Sequence, residues 1–231
     1  MTQVSSPPRR GWLLFVFLAS GFAALLYQVV WQRSLFAIFG INIESVTVVV
    51  TAFMLGLGIG SLVGGIVSKD PKKPALLLFG LVELGIGAFG LVSLPLFHVV
   101  GAATLELPAL ATALITFLLL LLPTMLMGGT LPLLVAHSVR QSGNVGKSVG
   151  QLYFVNTLGS AFSSVVSVMV MMGPLGQQNT VRVAALINVV VGASAIALHL
   201  RERRTAATAK PAPEPAPESE KPETTPASEA V

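Results

Sequence analysis

The stretch VTVVVTAFMLGLGIGSLVGGIV, residues 46–67, runs its whole length without a charged side chain. About 20 apolar residues in a helix span the hydrocarbon core of a bilayer, so this run is read as a membrane-crossing helix. Gly56, Gly60 and Gly64 recur every four residues within it, with Gly58, Ser61 and Gly65 beside them. Lipid tails supply no hydrophobic force between helices, so packing there depends on close backbone approach, and a face of small residues permits it. A phosphate-binding loop is excluded, because no strand precedes the glycines and no GKS or GKT follows them.

Working outward, five further apolar blocks of similar length lie at 12–30, 75–94, 110–134, 149–172 and 181–200. The predicted fold class is therefore all-α, a polytopic membrane bundle of about six transmembrane helices. Composition agrees. Charged residues make up 10% of the chain and the mean hydropathy is +0.80, against roughly 25% charged residues in a soluble domain. The net charge of +4 does not point to nucleic acid, because the cations cluster at the ends of apolar blocks, where they act as topology signals. The absence of cysteine removes disulfides, thiolate nucleophiles and cysteine-ligated metals from consideration.

Lys and Arg are retained in cytoplasmic loops. With the N-terminus inside, the inner segments hold Arg9, Arg10, Lys69, Lys72, Lys73, Arg140, Lys147, Arg201, Arg203 and Arg204, against Arg33 and Arg182 outside. The expected organisation is a cytoplasmic N-terminal segment at 1–11, a six-helix membrane domain at 12–204 and a Pro/Ala/Glu-rich cytoplasmic tail at 205–231. Such a tail buries too little apolar surface to offset the entropy of ordering, so disorder is predicted, as a spacer or as a docking segment. The first block has an alternative reading as a cleaved signal, with Leu18-Ala19-Ser20 as the small-residue site. Its continuation to Val30, and the odd span count that cleavage would leave, favour a retained helix.

Glu83 stands inside the third block with Gly80, Gly87 and Gly90 on its face. A carboxylate at that depth is costly and must face the bundle interior. It is read either as a structural hydrogen-bonding group or as a site for a cation or proton. Gln28 and Gln32, four residues apart, accompany Tyr27, Trp31 and Arg33. They are read first as an aromatic belt with a polar rim at the membrane interface, and alternatively as the mouth of a cavity. Tyr153 and Asn156 add polar groups to the fifth block. Gly159 with Ser163 and its serine neighbours gives that block a small stripe like that of the second. In the fourth block, Pro123 and Pro132 each remove a backbone donor. With Gly128 and Gly129 between them, they predict a kink or break that is a candidate hinge or site. His98, His137 and His199 are too scattered for a metal site. No catalytic residue, cofactor or metal is expected.

Five segments in order, GFAALLYQVVWQR from Gly21, FMLGLGIGSLVGG from Phe53, LVELGIG from Leu81, PTMLMGGTLP from Pro123 and LYFVNTLGS from Leu152, resemble the membrane portion of bacterial transmembrane spermidine-synthase-like proteins. These are fusions of a major-facilitator-like domain with a spermidine-synthase-like one. The resemblance implies a bundle like half of a major-facilitator-like transporter, in a bacterial inner membrane. Family members commonly carry an Asp in the loop after the glycine face, where this chain has Lys69 followed by Asp70. Larger members continue into a soluble aminopropyltransferase domain, which residues 205–231 do not resemble. The expected function is a non-enzymatic, transporter-like membrane subunit that binds a small cationic solute. The alternatives are an accessory or scaffold subunit, or a membrane tether for a separate soluble polyamine-synthase-like enzyme. The expected partners are the lipid bilayer and other membrane chains or further copies of this one.

Overall fold

The computed structural model describes residues 8–39 and 43–208. All regular structure there is helical: α1 Pro8–Phe39, α2 Ile43–Lys69, α3 Ala75–Ala103, α4 Ala109–Ser142, α5 Val145–Val166 and α6 Gly176–Thr208. Six helices are long and apolar enough to cross a bilayer, and the chain is a multi-pass membrane protein. Helices are the outcome because, in lipid, every backbone N–H and C=O must find its partner within the segment. The turns are short and carry stop signals. Gly143, at φ +67°, ends α4 in the left-handed conformation, and the Asn144 side chain accepts the Lys147 N–H at 2.9 Å to start α5.

Several boundaries differ from the sequence reading. The first helix begins before residue 12 and runs on past Val30 to Phe39, while α6 continues past Arg204 to Thr208. The rest of the predicted tail, from residue 209, lies outside the described residues. Of the expected kink or break in the fourth helix, the break is absent, since α4 passes through Pro123, Gly128, Gly129 and Pro132 as one helix. Local hydroxyls supply bonds beside each proline: Thr124 donates to the carbonyls of Leu120 and Leu121, and Thr130 to that of Met127. This is how membrane helices tolerate proline. Irregularity falls instead at the end of α5, where Ser167–Met171 forms a π-helical turn and the Met172 N–H reaches the Ser167 carbonyl at 2.9 Å.

The aromatic-belt reading is also corrected. Tyr27 and Trp31 are both fully buried and stack at 4.9 Å between centroids, with Phe89 and Phe97 edge-on to the indole. Trp31 Nε1 donates to Ser93 Oγ at 2.9 Å. Because α1 extends to Phe39, these rings stand inside the most enclosed helix, about two turns or more short of its end.

The helices pair chiefly as α2 with α4, α1 with α5 and α3 with α6, and then as α3 with α4 and α1 with α6. Exchanging the first three helices for the last three maps this pattern onto itself. Four glycines mark the correspondence. A Cβ at Gly60 would collide with the Met125 carbonyl and one at Gly128 with that of Leu57, while Gly159 would meet the Leu18 carbonyl and Gly21 that of Asn156. Each carbonyl belongs to the residue three positions before the opposing glycine, so α2 crosses α4 in the same way as α5 crosses α1. Between α3 and α6 the contact is reciprocal, with a Cβ at Gly80 lying 2.8 Å from the Gly192 carbonyl and one at Gly192 lying 2.7 Å from that of Gly80. With three helices in each half, the halves traverse in opposite senses. The bundle is an inverted repeat whose pseudo-twofold axis passes between Gly80 and Gly192.

Candidate functional site

The sequence places Glu83 three residues after Gly80, on the face of α3 that meets α6. It is fully buried. Ser20 Oγ donates to Glu83 Oε1 at 2.5 Å, and Asn188 Nδ2 donates to Oε2 at 2.5 Å. The carboxyl is thus held from both sides, by α1 and by α6. Among the described residues it is the one acid in the buried interior.

Ser20 and Asn188 form part of the wall of a cavity of about 240 Å³. Phe17 and Ala24 of α1 line it with Ser20, and α2 contributes Leu57 and Ser61. Ile86 comes from α3, and Met127, Gly128, Thr130 and Leu131 from α4. Tyr153 and Asn156 of α5 complete the wall. The cavity straddles the repeat axis. Ser20 and Met127 each directly precede a crossing glycine, Ala24 and Leu131 each follow one by three residues, and Leu57 and Asn156 each precede one by three. All six face the cavity.

The repeat is symmetric in backbone packing but not in chemistry. Ser20 is matched by Met127, Asn156 by Leu57, Glu83 by Ala195 and Asn188 by Leu76, counting from the paired glycines. Every polar member has an apolar counterpart, so one side of the axis is polar and the other greasy. Asn156 Nδ2 also donates to the Phe17 carbonyl at 3.3 Å, and Ser160 Oγ to that of Gly21 at 3.0 Å, tying α5 to α1. Tyr153 is largely exposed and stands at the cavity's edge.

The structure therefore brings together three of the five predicted solute-site residues: Tyr153 and Asn156 in the cavity wall, and Glu83 directly behind it. Gln32 lies apart, with Val29, Arg33, Phe36 and Ala37 along an open groove on α1, and Gln28 lines neither space. Both are only half-buried. The predicted packing residues Gly56, Gly60, Gly64, Gly159 and Ser163 are all buried, and each of the four glycines lies against a neighbouring helix. Sequence reasoning missed Ser20 and Asn188. An Asn inside an otherwise apolar block is a signal of the same kind as Glu83, whereas Ser20 carried none of its own.

Acid side chains elsewhere are peripheral. Asp70 accepts the Lys72 N–H in the turn before α3. Arg140, from the end of α4, donates to the carbonyls of Ser68, Asp70 and Lys73 at 2.9, 2.9 and 2.8 Å. That guanidinium closes the exposed C-terminus of α2 and pins its turn. Among the described residues no group of three His, Cys, Asp or Glu is placed to hold a metal ion. No protein-family model, curated protein or solved structure matches this chain.

Proposed function

We propose that this chain is a non-enzymatic, transporter-like membrane subunit that binds a small cationic solute in the axial cavity. The observation that carries this reading is the position of Glu83, whose two hydrogen-bond donors form the polar wall of a cavity at the crossing of two inverted repeats. Buried acids in membrane bundles mark ion and solute paths, and repeat interfaces are where transporters bind their cargo. The cation-rich ends of α2, α4 and α6 support a location in a bacterial inner membrane with both termini in the cytoplasm.

A second reading, an accessory or scaffold subunit, is favoured by one specific feature. A Cβ at Gly58 or Gly65 would meet nothing within 4 Å, so α2 turns a second small-residue face outward while its first is packed on α4. Faces of this kind associate with other membrane helices.

One experiment separates the two. Uptake of methylammonium into proteoliposomes and recovery of native complexes are compared for the wild type and Glu83→Gln, a change that keeps the shape and one of the two acceptor oxygens but removes the charge. The solute reading expects uptake to be lost while assembly persists. Wild-type uptake by Glu83→Gln refutes it and leaves the scaffold reading.

A further inference from the structure

Resting on the reading of the cavity as a solute site, we infer that it accepts a small alkylammonium carrying one positive charge and rejects diamines and polyamines. The argument begins with hydrogen-bond direction. A carboxylate only accepts, so the Asn188 amide must turn its nitrogen toward Glu83, which leaves Oδ1 on the other side. Asn188 is 1% exposed and its Oδ1 has no hydrogen-bond partner. Ser20 gives its one hydroxyl hydrogen to Glu83, so its oxygen retains only acceptor capacity. The two groups directly in front of Glu83 thus direct a hydroxyl and an amide hydrogen at the carboxylate and keep acceptor capacity to spare. An anion would stand against a buried acid there, whereas an ammonium finds acceptors for its N–H groups.

Charge sets the second limit. Behind this wall stands a single acid, and no basic side chain lines the cavity. In an interior of low effective dielectric, one positive charge held close to Glu83 is compensated, while a second is an unpaired buried charge. Ser61, Thr130, Tyr153 and Asn156 elsewhere in the wall are uncharged, so they offer it hydrogen bonds but no counter-charge. Leu57, Ile86, Met127 and Leu131 form the apolar side and suit a hydrocarbon body. Size is the third limit, since 240 Å³ falls below the roughly 300–1,000 Å³ of pockets for drug-sized ligands. A short alkyl chain with one ammonium head meets all three conditions.

The test uses the full chain in lipid nanodiscs, titrated calorimetrically with butylammonium, with the diamine putrescine and with butanol. Butylammonium is expected to bind at least about tenfold more tightly than either of the others, and to lose at least about tenfold in affinity in Glu83→Gln. Putrescine binding as tightly as butylammonium, with both weakened by Glu83→Gln, overturns the single-charge inference but leaves the cationic-solute reading standing. Butanol matching butylammonium shows that charge is not recognised, and overturns both. Failure of every amine to bind the wild type likewise overturns both. Should Glu83→Gln not fold, the wild-type ranking of the three probes decides alone.

Discussion

Two glycines on one turn of α2 offer a sharp test of the packing. A methyl at Gly60 would strike the Met125 carbonyl, which is backbone and cannot rotate away, whereas a methyl at Gly58 meets nothing within 4 Å. Replacing either by alanine removes the same conformational-entropy cost of glycine in a helix, about 0.5–1 kcal/mol. That gain cancels between the two variants. What remains is overpacking at residue 60, about 1–3 kcal/mol, so Gly60→Ala is expected to be less stable than Gly58→Ala by that amount. Reversible unfolding of the two purified variants in mixed detergent micelles measures the difference. The inverted repeat predicts the same gap between Gly159→Ala, which would meet the Leu18 carbonyl, and Gly150→Ala, which is open. Equal stability within the first pair would refute the close crossing of α2 and α4. A gap in the first pair without one in the second would refute the equivalence of the halves.

Two further outcomes are expected. Arg140→Ala removes three hydrogen bonds from the turn after α2. A cysteine at Lys72 should then react faster with maleimide, and Arg140→Lys should restore little, because an ammonium cannot reproduce the guanidinium fork; unchanged reactivity in both variants shows that the turn does not depend on the clamp. For topology, the natural absence of cysteine makes single-cysteine labelling clean. A membrane-impermeant reagent on intact cells should modify Glu106→Cys, in the exposed turn beside Thr104, but neither Lys73→Cys nor Arg204→Cys, and the reverse pattern overturns the cytoplasmic placement of the termini.

The number of spans, their approximate places and the faces of α2 and α5 that pack were legible because each rests on a local rule: apolar length for the spans, four-residue spacing of small side chains for the faces. What failed required knowledge of neighbours. Tyr27 and Trp31 looked interfacial because the apolar block seemed to end at Val30. Their burial follows from the position of α1 among the other helices, which no property of α1 alone reveals. Pro123 and Pro132 suggested a break because the lost donors are visible in sequence, while the hydroxyls of Thr124 and Thr130 that serve nearby carbonyls are not recognisable until the helix is built. The repeat was invisible for a related reason. Its signature is a backbone relation, a glycine meeting a carbonyl three residues before another glycine, and the carbonyls belong to Leu18, Leu57, Met125 and Asn156, which share no side-chain chemistry. Glu83 was found by its cost alone, whereas Ser20 and Asn188 gained meaning only once the fold set them against it.

The contact between Glu83 and Asn188 also has a history in time. Ser20 precedes Glu83 by 63 residues, but Asn188 follows it by 105. At a synthesis rate of roughly 5–20 residues per second, α3 leaves the ribosome roughly 5–20 s before the amide that completes its carboxyl's shell. Throughout that interval the nascent chain carries a half-satisfied acid that lipid disfavours. The third helix is apolar enough to enter the bilayer with its acid half-satisfied, and arrival of the sixth is what completes the carboxyl's shell.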